Sequence, residues 1–182
     1  MNKILIVGIV ASGKSTFSKK LALFLDINCY ELDQIVHKEI NGVRKKLNSF
    51  DQMEIINKID DLGEWIFEGV HRESYKELYN KADLIVFLDM PLYLRVFRIF
   101  LRIIKQNLKI EKCHYKPNFQ MLKWMIKWTK DFEKDRAEYN LFLNNYLEKL
   151  VIINNKRELN KYLKEQKNRK VGKLIEKNSS NN

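Results

Sequence analysis

The 182-residue sequence predicts an α/β fold, a three-layer α/β/α sandwich around a five-stranded parallel sheet. Three observations carry the prediction. The apolar run Lys3-Ile4-Leu5-Ile6-Val7 leads directly into a glycine-bounded loop and then a helical pattern. Four further apolar runs follow, separated by helix-period sequence. Three of those runs end in a carboxylate, Asp33, Glu68 and Asp89. Parallel sheets bind ligands at such carboxyl ends.

Taken in order, the first run is a buried strand, and Gly8 to Ser15 reads Gly-Ile-Val-Ala-Ser-Gly-Lys-Ser. This is the phosphate-binding pattern Gly-x-x-x-x-Gly-Lys-Ser/Thr in the strand–loop–helix setting it requires. Gly8 and Gly13 permit backbone conformations that a side chain blocks, and a close approach to an anion. The amides around Ala11, Ser12 and Gly13 form a nest at a helix N-terminus, where the dipole also favours negative charge. Lys14 is expected to reach the β and γ phosphates, Ser15 to ligate Mg²⁺ through its hydroxyl, and Thr16 to touch the α phosphate. The ligand that matches this set is a nucleoside triphosphate.

The helix after the loop carries Phe17, Leu21, Leu23, Phe24 and Leu25 in a mostly one-sided pattern. Ile27 to Asp33 reads as the second strand. Gln34 to Lys38 and Val43 to Leu62 read as helices broken at Asn41-Gly42, and Gly63-Glu64 as a turn. Trp65 to Gly69 is the third strand. Ser74 is a fitting N-cap for a short helix to Asn80. Leu84 to Asp89 is the fourth strand, and Pro91 opens a long helix through about Gln106. Residues 107–117 look irregular and carry Lys109, Lys112 and Lys116 before Pro117. Asn118 to Leu147 reads as a long helix, Leu150 to Asn154 as the fifth strand, and Arg157 to Gln166 as a last helix. The expected domain is 1–167, with 168–182 a polar, basic, disordered tail.

Composition narrows the class. There is no run of about 20 apolar residues that would cross a membrane. The N-terminus reads as the first strand and not as a signal peptide. The two cysteines, Cys29 and Cys113, have neither metal-ligand nor redox spacing, which fits a reducing cytoplasm. The net charge of +11 is uneven: residues 1–90 hold 12 Lys and Arg against 14 Asp and Glu, and residues 91–182 hold 22 against 9. That basic half either faces nucleic acid or the phosphates of two nucleotides, or reflects a Lys- and Asn-rich bias with solvated faces. No nucleic-acid-binding motif accompanies it.

Other residues carry weaker signals. Asp33 either orients and deprotonates an accepting hydroxyl or caps the helix that begins at Gln34, and one residue can do both. Arg95, Arg98 and Arg102 share one helix face, where like charges repel by a few tenths of a kcal/mol, roughly, so something anionic is expected opposite them. Trp124 and Trp128 lie four apart and read as core rather than as a base-stacking platform. His37, His71 and His114 have no companion arrangement and are not offered as ligands.

The chain resembles the small nucleotide-kinase-type P-loop proteins of the adenylate kinase and shikimate kinase neighbourhood. More narrowly, it resembles the adenylate-kinase-like proteins of DNA topology modulation (FlaR-related). The resemblance rests on Gly8 to Ser15, Leu32-Asp33, Trp65 to Gly69, Ala82 to Pro91 with the arginines behind it, and Phe119 to Trp128. It implies a P-loop NTPase fold, ATP with Mg²⁺, and transfer of the γ-phosphoryl group to a small-molecule acceptor. The alternative it implies is a nucleic-acid-associated ATP-binding protein that modulates DNA topology.

Residue by residue, the adenylate kinase strand end Asp-Gly-Phe-Pro-Arg matches Glu68-Gly69-Val70-His71-Arg72 here. Glu68 is then the magnesium-side carboxylate, with Asp89 as the other candidate. Arg72 matches an arginine that clamps the acceptor's phosphate, but Val70-His71 departs from the pattern and weakens a nucleoside monophosphate acceptor. Arg98 and Arg102 match arginines that contact the adenine ring and the triphosphate. Arg44 joins Asp33 and Arg72 on the acceptor side. Residues 103–117 form the expected lid, with Arg136 as a second lid-side arginine.

Overall fold

In the computed structural model, residues 2–40, 43–108, 110 and 119–179 are described. Seven strands occur among them: β1 (Lys3–Gly8), β2 (Cys29–Glu31), β3 (His37–Ile40), β4 (Val43–Lys46), β5 (Trp65–Gly69), β6 (Leu84–Leu88) and β7 (Leu150–Ile153). Five of these form one parallel sheet in the order β2-β5-β1-β6-β7. The helices are α1 (Lys14–Leu25), α2 (Leu32–Ile35), α3 (Ser49–Asp60), α4 (Glu77–Lys81), α5 (Leu92–Asn107), α6 (Phe119–Leu143) and α7 (Lys156–Ser179).

The strand sequences dictate the layers. Alternate residues of a strand face opposite sides of the sheet. Leu5, Val7, Trp65, Phe67, Ile85 and Phe87 face one side and meet Ile56, Leu78, Tyr79, Tyr139 and Leu143. Ile4, Ile6, Ile66, Val86 and Leu88 face the other and meet Phe17, Leu21 and Leu163. Both faces are therefore dry, which is why β1, β5 and β6 read as unbroken apolar runs. The predicted three-layer α/β/α arrangement with five parallel strands is the observed one. Strand β1 lies at the centre, flanked by β5 and β6, and strand order reverses about it. Its carboxyl end is therefore the topological switch point.

The segment between Asp33 and Leu47 departs from expectation. It holds the antiparallel hairpin β3–β4, with His37 opposite Lys46 and Ile40 opposite Val43, where helices were predicted. Asn41-Gly42 was read as a helix break, yet that dipeptide between two short runs is also the usual hairpin signal. Helix α3 starts only at Ser49, where the Asn48 side chain accepts a hydrogen bond from the Asp51 amide at 2.8 Å. The second strand stops at Glu31, because Leu32 to Ile35 turn into the short helix α2. Residues 103–107 continue α5, and the remainder of the expected lid, 109 and 111–117, lies outside the described residues along with Cys113 and His114. Helix α7 runs from Lys156 to Ser179, through much of the polar stretch that follows Gln166.

Trp124 and Trp128 are not core. They are 45% and 47% exposed, with ring centroids 6.5 Å apart. The core-facing positions of α6 are Met125, Thr129, Tyr139 and Leu143. No helix among the described residues is long and apolar enough to cross a membrane.

Candidate functional site

The loop between β1 and α1 follows from its glycines. A Cβ on Gly8 would lie 2.7 Å from Ser12 Oγ and 2.9 Å from the Leu88 carbonyl oxygen, so no side chain fits there. Gly13 takes φ +100° and occupies the N-cap position of α1 without any side-chain cap. The first amides of that helix thus have no capping side chain, an arrangement that suits an anion. Ala11 also sits at positive φ, 60°, a conformation an L residue adopts at a cost. Such strain collects where the surroundings hold a binding loop in shape.

Side chains converge on this loop from three elements. Lys14 is buried, and its Nζ donates to the Ile9 carbonyl at 3.1 Å. Burial pulls its ammonium below the usual lysine range, while the Glu68 and Asp33 carboxylates pull the other way. Ser15 Oγ donates to Glu68 Oε1 at 2.6 Å, joining the first turn of α1 to the end of β5. Burial pushes the Glu68 carboxyl upward, opposed by Lys14 and by the Ser15 hydroxyl. Arg98 Nη1 donates to the carbonyls of Ala11 at 3.1 Å and Ser12 at 2.8 Å, so α5 clasps the loop from above. The Arg102 charge also acts on Lys14. Ser12 Oγ is buried with no hydrogen-bond partner among the described residues, and Thr16 is exposed on the first turn of α1.

The acceptor-side residues separate into two groups. Asp33, on α2, and Arg72, just beyond β5, form an ion pair at 2.7 Å, and the Asp33 charge reaches Lys14 and Glu68. Glu31, not Asp33, is the N-cap of α2, so the capping role does not hold. Arg44 lies in β4, in register with Glu39, on a different element from that pair.

Arg95 and Arg98 of α5 turn to different partners. Arg95 is fully buried; its Nε donates to the Met90 carbonyl at 2.8 Å and its guanidinium pairs with Glu133. Arg136 pairs with both Asp89 and Glu133. Asp89 is therefore committed to α6, and Glu68 is the carboxylate beside Ser15. Spacing alone could not separate Arg95 from Arg98, because three residues leave them only about 60° apart on the helix, and packing alone sends one to the loop and the other to the core.

A cavity of about 570 Å³ opens beside the loop. Gly8, Ile9 and Val70 form its floor at the strand ends, and the rings of His71, Phe87, Phe132, Tyr139 and Phe142 line it. His71 Nδ1 is 2.9 Å from the Tyr79 hydroxyl, which is 3.0 Å from the Tyr139 hydroxyl. Burial pulls the His71 imidazole below its ordinary value, which favours the neutral ring. No motif in the sequence marks this chamber. Its trace was a one-sided aromatic stripe, Tyr139, Phe142 and Tyr146, at helical spacing.

With this geometry in view, the comparisons with known proteins define the class of fold. No family model matches the chain, and no curated protein matches it. Solved structures do. A shikimate kinase from Acinetobacter baumannii in complex with shikimate is 15% identical, with a TM-score of 0.55 over 98% of this chain and 94% of that one. A deoxyadenosine kinase from M. mycoides with bound dATP is 14% identical, with a TM-score of 0.52 over 91% and 98%. A shikimate kinase from Bacteroides thetaiotaomicron is 15% identical, with a TM-score of 0.50 over 95% and 97%. The chain has the three-layer α/β/α fold of the P-loop kinases.

Proposed function

We propose that this chain binds ATP with Mg²⁺ and transfers the γ-phosphoryl group to the hydroxyl of a small molecule. The observation that carries the reading is the Ser15–Glu68 hydrogen bond next to buried Lys14, inside a loop where Gly8 leaves no room for a side chain and Gly13 takes a positive φ. The donor set suits the ligands. Mg²⁺ prefers hard oxygens and is usually held by one or two protein groups plus substrate phosphates. Ser15 and Glu68 provide a hydroxyl and a carboxylate at one point. When bound, the metal ion neutralises charge on the β and γ phosphates.

The chain's own groups supply the rest. Loop amides and the α1 dipole hold the polyphosphate. Lys14 neutralises its far end, and its weakened desolvated charge is restored when an anion arrives. Arg98 and Arg102, on α5, close over the nucleotide and stabilise charge on the transferring group. Arg72 holds Asp33 in place to orient the accepting hydroxyl. In the transfer, the acceptor oxygen bonds to the γ-phosphorus as the bond to the bridging oxygen breaks. ADP leaves, and the hydroxyl proton passes to solvent.

Thermal shift tests this directly. Millimolar ATP with magnesium is expected to raise the melting temperature by about 5 °C, and Lys14→Ala is expected to remove the shift. Equal shifts for both proteins, or none for either, would refute the reading.

A further inference from the structure

We infer that the aromatic cavity beside the phosphate loop is the acceptor subsite, and that it selects an uncharged hydroxyl compound bearing a flat unsaturated ring, of nucleoside size, over phosphorylated or carboxylated acceptors. This rests on the phosphoryl-transfer reading above and names the substrate class for that site.

Position comes first. The cavity floor includes Gly8 and Ile9, and the Ile9 carbonyl accepts from Lys14 Nζ at 3.1 Å. A compound in the cavity therefore lies next to the group that meets the far end of the polyphosphate. Val70 and His71 line the same cavity, and Arg72, which follows them, fixes Asp33.

Shape comes second. Five rings surround a volume of about 570 Å³, within the range that holds a small organic ligand. Phe87 and Tyr139 meet edge to face at 5.2 Å between centroids, and His71 packs on Phe142 at 4.8 Å. Phe87 and Tyr139 are buried behind the wall, and the half-buried rings of His71, Phe132 and Phe142 offer flat faces for stacking and little for a flexible polyol. The Tyr79 hydroxyl occupies His71 Nδ1, and among the described residues Nε2 makes no hydrogen bond, which leaves one polar atom of the ring for a ligand.

Charge decides the class. The polar residues on the cavity are Glu73, Lys76, Asp135, Glu138 and Asn145. Lys76 stands 3.5 Å from Glu73 and 5.1 Å over the Phe142 ring, so one positive charge faces three carboxylates, those of Glu73, Asp135 and Glu138. Asp135 and Glu138 lie three apart on α6, both exposed, and carry no salt bridge among the described residues. Among the described residues no arginine lines the cavity, and burial disfavours a positive charge on His71. A phosphate or carboxylate there meets two like charges and no fork of donors.

The test uses the purified full chain with ATP and magnesium, scoring ADP release with the four common nucleosides, their 5′-monophosphates, and polyhydroxy carboxylates. At least one nucleoside is expected to exceed its monophosphate by about tenfold in kcat/KM, with no carboxylate competing. Glu138→Lys, a change at an exposed position, is expected to narrow that ratio severalfold. Phe142→Ala is expected to raise the acceptor KM by about tenfold while the KM for ATP stays within about twofold. Should that variant fail to fold, Leu141→Trp at the exposed cavity edge is expected to narrow the cavity and do the same. Preference for a monophosphate or carboxylate overturns the inference. So does a panel in which no nucleoside releases ADP although ATP with magnesium still shifts the melting temperature. A protein that shows no shift with ATP fails at the earlier step, the phosphoryl-transfer reading itself.

Discussion

Gly8 illustrates how much a single residue fixes. Its missing side chain lets β6 and the loop approach so closely that a methyl group would sit 2.9 Å from a backbone oxygen. Gly8→Ala is expected to cost about 1–3 kcal/mol, since the Leu88 carbonyl belongs to a central strand and cannot step aside. Urea denaturation with an unchanged m-value would register it; an unaltered midpoint would show that the loop relaxes. Lys14 and Glu68 illustrate the converse, in which burial weakens two opposite charges and each offsets part of the other's loss. The sequence announces Lys14 through its motif. It does not announce Asp60, whose role depends on three elements meeting.

At the scale of elements, Asp60 closes the end of the sheet opposite the phosphate loop. Lys3 from β1 donates to it at 2.6 Å, Lys81 from α4 at 2.7 Å, and the Trp65 indole from β5 at 2.9 Å. Burial opposes the Asp60 charge, but these three donors outweigh it and hold the carboxyl well below the usual range. The folded value lies below the unfolded one of about 3.9, so the stabilisation is complete above that pH and is lost as pH falls toward the folded value. Asp60→Asn is expected to cost about 2 kcal/mol at pH 7. The gap between variant and parent should shrink by pH 3 in chemical denaturation. A gap independent of pH would contradict the ionic account. The same scale explains the hairpin β3–β4. Runs of four residues cannot separate helix from strand by periodicity, and pairing settles the matter.

Across the whole molecule, a chain of ion pairs fastens α6 to the sheet. Arg95 on α5 meets Glu133 on α6, Glu133 meets Arg136, and Arg136 meets Asp89 at the end of β6. This lattice carries the aromatic wall of the cavity, since Tyr139 and Phe142 follow on the same helix. Arg95→Met is expected to destabilise by about 1–2 kcal/mol, because it removes a buried guanidinium bonded to the Met90 carbonyl and to Glu133, while Glu133 keeps Arg136. Its acceptor KM should also rise if the wall loosens. A loss of stability confined to less than about 0.5 kcal/mol, measured by urea, would show that packing alone positions α6.

The sequence by itself determined the sheet, its parallel sense and the phosphate loop, because these follow from local pattern: apolar runs of strand length, two glycines, and a Lys-Ser pair at fixed spacing. Only the tertiary structure decided which arginine of α5 turns to the loop and which to Glu133. It alone closed five rings from the segment after β5, from β6 and from α6 into one chamber and set Asp33 against Arg72 rather than at a helix cap. Those outcomes depend on pairings between residues 38 or more apart in the chain, for Arg95 with Glu133 and for Asp33 with Arg72 alike. A one-dimensional pattern carries no distance between such groups until the sheet and helices have packed.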